Sequence, residues 1–264
     1  VHLLQEMITP KTASIQYALL AQAVLSVLFS FVQRDFALKY GKVEGADATI
    51  LAMGSLGTGL LNSDSDLDLI LIFKAEPDAV SDGYKSLSCR QYFSRLTQAL
   101  ITALTAPTAH GWLYEVDMRL RPSGRSGPVA TSLAGFEAYQ RYEAWMWEHL
   151  ALTRARPITG CPDFCQQVDD LRYTILHEKS DLSAVMACVR DMRARLAENK
   201  PQDGPWDIKR GPGGLQDIEL LAQGVALAGK CHDVGTRNQL LSGVSAKHLL
   251  ASDLEFLAVS HEFL

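Results

Sequence analysis

Residues 54–73, GSLGTGLLNSDSDLDLILIF, set Asp66 and Asp68 one residue apart at the start of a branched apolar run. Strand interiors are poor in aspartate. Strand side chains alternate with period two, so both carboxylates leave one face while Leu67 and Leu69 leave the other. Two anions this close repel, and a dry site would raise the pKa of one of them. A divalent cation removes the conflict, and Mg²⁺ suits one or two carboxylates completed by water and phosphate oxygens. A DxD pair alone is a weak signal, because Asp66 could equally punctuate the strand as a turn residue.

The surroundings strengthen it. Gly54 and Ser55 stand at an expected strand-to-helix junction, where free N–H groups and the helix dipole suit a phosphate. Gly57 and Gly59 allow close backbone approach, and Ser55 is either a phosphate donor or a helix N-cap. Asp117, in YEVDMRL, falls on a third expected strand. It can complete a metal clamp or act as base toward a hydroxyl. Arg119 shares its face and Arg121 follows; both either balance phosphate charge or pair with surface acids. Lys209 and Arg210 precede a Gly-rich helix entry and offer a phosphate contact. His149 and the pair Trp145 and Trp147 read as packing or anchoring residues. Arg154 and Arg156 read as functional or as helix-dipole partners. Asp217 and Glu219 cannot share a narrow helix face, so they read as a helix-dipole aid and a structural acid rather than a metal pair.

These residues need elements to hold them. Apolar spacing predicts a long, largely buried helix over 13–38, a strand over 48–54, and a short helix or tight loop over 55–61. A strand over 65–73, a helix over 89–106 and a strand over 112–120 follow. After the Gly/Pro/Ser loop 121–132, helices are expected almost exclusively. Ser132 caps one running to Ile158, with others at 162–178, 181–199, 213–229 and 245–264. The expected fold is α+β: a core of a small mixed sheet with flanking helices over 1–131, then an all-helical bundle over 132–264, cut short at its C-terminus.

A hydrophobic share of 47% in 264 residues is enough for a sizeable core. The net charge of −5 supplies no overall basic field for nucleic acid. Five cysteines without a CxxC pair suggest reduced thiols and a cytoplasmic setting. No apolar run is expected to reach the length of a membrane span, and the N-terminus has no signal-peptide pattern.

Together SDLDLILIF, YEVDMRLRPSGRSGPVATS, YEAWMWEHLALTRARPITG and DIKRGPGGLQDIELLAQ resemble the nucleotidyltransferases of the DNA polymerase beta type. More narrowly they resemble the glutamine synthetase adenylyltransferase family, from about Ala52 to Gln223. The resemblance implies ATP as substrate, two Mg²⁺ ions on Asp66, Asp68 and Asp117, and nucleotide contacts from Gly54, Ser55, Gly57, Arg119, Arg121 and Lys209. It implies a bifunctional family with two such domains. One adds AMP to a tyrosine of glutamine synthetase; the other removes it by phosphorolysis. RPSG and EAWMWEH are similar to the adding copy. Implied partners are glutamine synthetase and the PII signal protein, with glutamine as an effector and neither nucleic acid nor membrane. The alternatives are the removing half, or a non-catalytic domain that docks glutamine synthetase or PII. The glycine loop departs from the family: Ser55 and Gly57-Thr58 stand where a lysine and a Gly-Gly pair are usual.

Overall fold

The computed structural model describes residues 7–109, 111–199 and 201–263. The first six residues, read above as free of a signal peptide, and Leu264, expected to end the last helix, lie outside them. Contacts divide the described residues into two compact units. The first falls within Val1–Ala144 and Ala155–Leu171, the second within Trp145–Arg154 and Arg172–Leu264.

In the first unit, helix α1 (Pro10–Tyr40) starts on Thr9, whose side chain accepts from the Thr12 N–H, with Pro10 at the first helical position. Strand β1 (Asp47–Ala52), helix α2 (Gly54–Thr58), strand β2 (Leu67–Lys74) and helix α3 (Cys89–Thr105) follow. Next come β3 (Val116–Asp117), β4 (Ala130–Ser132) and α4 (Leu133–Tyr142), which Ser132 caps by accepting from the Gly135 N–H. After α5 (Met146–Leu152), which belongs to the second unit, the chain returns as β5 (Arg156–Thr159) and enters α6 (Pro162–Glu178). The five strands form one mixed sheet in the order β3-β2-β1-β5, with β4 also on β2. β1 is antiparallel to β2 and β5, while β3 and β4 run parallel to β2. An α+β core with flanking helices followed by further helices is therefore the observed class.

Leu67, Leu69, Leu71 and Phe73 leave one face of β2 and enter a core with Leu25 and Phe29 of α1 and Phe93, Leu96 and Leu100 of α3. That side of the period-two pattern anchors the strand. The opposite side, through Asp66 and Asp68, is the one left for chemistry.

Several expectations need correction. The strand over 112–120 shrinks to Val116–Asp117, because the chain turns away at Met118, whose carbonyl accepts from the Arg121 N–H. The single helix after Ser132 is broken into α4, α5 and strand β5, so Arg156–Thr159 belongs to the sheet. The expectation that no apolar run reaches membrane-span length also fails, since α1 is long and apolar enough to cross a membrane. It does supply seven buried residues to the core, yet the reading "largely buried" holds for only one of its faces.

The second unit holds α5, α7 (Leu182–Asn199), α8 (Leu215–Ala228), α9 (Thr236–Ser245) and α10 (Ala251–Phe263). The expected helix over 245–264 is thus α10 alone, with α9 before it. Ile218, Ala222, Val225 and Leu240 form a small core between α8 and α9. Buried Arg172 donates to the His232 carbonyl at 3.1 Å, and Gln239 Nε2 donates to the Thr153 carbonyl at 3.1 Å.

Candidate functional site

The parallel pairing of β2 with β3 puts Asp68 and Asp117 directly opposite each other. Register partners on neighbouring strands project to the same side of a sheet. Asp66 precedes β2 by one residue and is exposed; Asp68 is half-buried. Three carboxylates thus share one end of the sheet.

The glycine segment is tied to them. The Met53 N–H donates to the Asp68 carbonyl at 2.8 Å, closing the β1–α2 junction onto β2. Gly54 then adopts φ +54°, and a Cβ there would collide with Asp68 Oδ2. Only glycine lets the backbone lie against that carboxylate. Ser55 is exposed inside α2, and the N-cap is Met53, so the N-cap reading of Ser55 fails. Gly57 is buried in α2, and Gly59 ends the helix in the left-handed conformation. Gly54→Ala is expected to cost about 1–2 kcal/mol from backbone conformation alone and to displace the Asp68 carboxylate. Thermal unfolding and turnover should both fall; a variant with wild-type midpoint and wild-type rate removes Gly54 from the site.

Arg119 sits on Asp117. Its Nε donates to Oδ2 at 2.6 Å, Nη2 contacts the same oxygen, and its backbone N–H donates to Oδ1 at 2.8 Å. Burial pushes the Asp117 carboxyl up, but the Arg119 hydrogen bonds and the charges of Arg119 and Arg125 outweigh it and hold it below the ordinary value. Arg119 is raised in turn, first by Asp117 and then also by Asp68 and Asp66. Arg119 touches Asp117, with Asp68 and Asp66 adding to the negative field around it.

Arg121 is placed differently. Its guanidinium donates to the carbonyls of Met118 at 2.7 Å, Pro128 at 3.1 Å, Gly127 at 3.3 Å and Arg125 at 3.4 Å. It fastens the loop between β3 and β4, and among the described residues it pairs with no acid. Lys209 lies in the second unit, in a loop organised by Asp207. That carboxylate accepts from the Asp203, Lys209 and Arg210 N–H groups, and it is held at about 2 by the Asp203 and Arg210 hydrogen bonds.

The remaining residues singled out by the sequence find structural partners. Arg156 donates to the Gly57 carbonyl at 3.3 Å and to Gln22 Oε1 at 3.4 Å, bracing α2 against α1. Nothing local in the sequence marks this support, because its two partners are 99 and 134 residues away. Arg154 pairs with Glu219, and Asp217 pairs with Arg193 while accepting from the Gly213 N–H. His149 is buried, and Trp145, read as a core or interdomain anchor, is 72% exposed.

The donors fit a hard divalent cation in kind: carboxylate oxygens, two of them in register. Among the described residues, however, no group of three His, Cys, Asp or Glu is gathered around one metal-sized point.

The family model described as glutamate-ammonia ligase adenylyltransferase matches residues 2–171. A second model, described as GlnD PII-uridylyltransferase, matches residues 190–264. Among similar proteins are those named bifunctional glutamine synthetase adenylyltransferase/adenylyl-removing enzyme. The one from Rhodopseudomonas palustris is 46% identical over 212 residues, covering 80% of this chain and 21% of the relative. The one from Brucella suis is 48% identical over 211 residues, covering 80% and 22%. The one from Mesorhizobium japonicum is 43% identical over 231 residues, covering 87% and 23%. The chain thus spans about a fifth of the length of the curated relatives it matches.

Proposed function

From the premise that the chain belongs to the glutamate-ammonia ligase adenylyltransferase family, we propose that it carries the adenylylating activity, transferring AMP from ATP to a tyrosine hydroxyl of glutamine synthetase. The observation that supports this best is the facing of Asp68 and Asp117 across β2 and β3, with the Gly54 backbone against Asp68.

In this reading Asp66, Asp68 and Asp117 would hold Mg²⁺, whose charge would offset that of the triphosphate. Ser55 and the Gly54–Gly57 turn receive the phosphates. The tyrosine oxygen bonds to the α-phosphorus as the bond to pyrophosphate breaks. The hydroxyl proton passes to Asp117. Arg119, whose guanidinium holds Asp117, offsets phosphate charge beside that base. Arg121 shapes the loop that carries this pair.

The direction of reaction rests on RPSG, with Ser123 exposed after β3, and on EAWMWEH, the two stretches that resemble the adding copy. The reading also brings the PII signal protein as a partner, glutamine as an effector and a cytoplasmic setting. Given ATP, Mg²⁺ and unmodified glutamine synthetase, the protein should release pyrophosphate and leave AMP on tyrosine, read by the mass of glutamine synthetase. Given the modified enzyme and phosphate, it should make little ADP. ADP formation without pyrophosphate release would reverse the assignment.

A further inference from the structure

Helix α1 has two apolar faces, and the core uses one. Ala13, Ala18, Ala21, Leu25, Phe29, Val32 and Phe36 are buried. On the other side Leu20 is 57% exposed, Val27 68%, Phe31 59% and Leu38 88%, with Tyr17 at 39%. Val24 is half-buried among them. Positions 17, 20, 24, 27, 31, 34 and 38 advance by alternating steps of three and four, and only Arg34 interrupts the apolar series. No charged residue occurs from Thr12 to Gln33.

Single exposed apolar side chains are ordinary, but a continuous row is the mark of a contact surface. A three-four row seats another helix, side chain into gap, at a shallow crossing angle. The row from Tyr17 to Leu38 rises about 30 Å, which calls for a partner helix of about 20 residues. Relatives of this chain are nearly five times the length of the part it matches, so polypeptides of this family hold ample sequence for such a helix. A helix from the same polypeptide also docks without the loss of translational freedom that a separate partner incurs.

We propose that the exposed face of α1 is the seat of an α-helix supplied by the same polypeptide from outside residues 1–264. That helix carries apolar residues in the same three-four spacing and an acid opposite Arg34. The inference stands independently of which reaction the carboxylate site runs.

The test is thiol labelling of Val27→Cys by a maleimide, followed at that peptide by mass spectrometry so that the five native cysteines do not interfere. Residues 1–264 are compared with the full reading frame that contains them. Labelling at least about tenfold slower in the longer polypeptide is expected, as for a site exposed only by local opening. Equal rates overturn the proposal. So does slow labelling of residues 1–264 alone, whether it speeds up on dilution, which makes the occupant a second copy, or is independent of concentration. Protection of residues 1–264 only by phosphatidylcholine–phosphatidylglycerol vesicles makes the occupant a lipid surface and also overturns it. A reading frame that ends with these residues does the same.

Discussion

Asp68→Asn is expected to abolish adenylyl transfer while leaving the fold intact. The asparagine keeps the side chain's size and removes its charge. Asp68 faces Asp117 across β2 and β3, and its carboxylate lies against the Gly54 backbone. The opposite face of β2, through Leu67 and Leu69, carries the packing. Loss of the charge removes several kcal/mol of stabilisation from the transferring phosphoryl group, a rate loss on the order of 10³-fold or more. Far-UV circular dichroism and the unfolding midpoint should stay near wild type. Asp66→Asn should show the same split. Wild-type pyrophosphate release by either variant sinks the assignment, whereas loss of rate together with loss of fold makes the aspartates structural.

The pairing that carries this prediction was partly legible in the sequence. Period two alone puts Asp66 and Asp68 on one side of a strand, and Leu67 and Leu69 do enter the core on the other. Helices with clear apolar spacing and clean ends were legible too, among them α3 and α6, as was the Ser132 cap that starts α4, though not where α4 ends. Strand β5 was not, because it contains Pro157 and follows a helical stretch without a glycine between them. A local pattern cannot foresee that the edge of β1 accepts it. Long-range contacts were equally silent. The collision that restricts position 54 to glycine exists only once β1 and β2 pair, and the brace from Arg156 to Gly57 only once β5 joins the sheet. Arg119 was placed beside Asp117 by periodicity. Its closing of the carboxylate depends instead on the chain turning out of the strand after Asp117.

Arg154 illustrates the same limit, since an arginine near a helix end reads equally as a ligand contact or a structural partner. Its Nη1 lies 2.8 Å from Glu219 Oε2 and its Nη2 donates to Oε1 at 3.1 Å, a two-pronged pair with both side chains largely buried. Burial pushes the Glu219 carboxyl up, yet His261 and Arg154 outweigh it and bring it down to about 2. Arg154→Ala should therefore destabilise the protein by about 3–5 kcal/mol, because it leaves a buried carboxylate without its main partner. The unfolding midpoint should drop on the order of 10 °C. His261, with Nε2 3.9 Å from Oε1, offers only partial replacement, and only when protonated. The pH dependence follows in sign. In the wild type the depressed carboxyl contributes stability above its unfolded value of about 4.5, and that contribution is lost as pH falls toward about 2. Without Arg154 the carboxyl loses part of what depresses it, so the variant loses less stability than the wild type as pH falls. The gap between variant and wild type should be widest near neutral pH and close in acid. Arg154→Ala combined with Glu219→Leu should recover most of the loss, since removing both partners leaves no buried charge. A substrate-binding Arg154 would instead give a variant with a normal midpoint and a raised KM, and the double variant would rescue nothing.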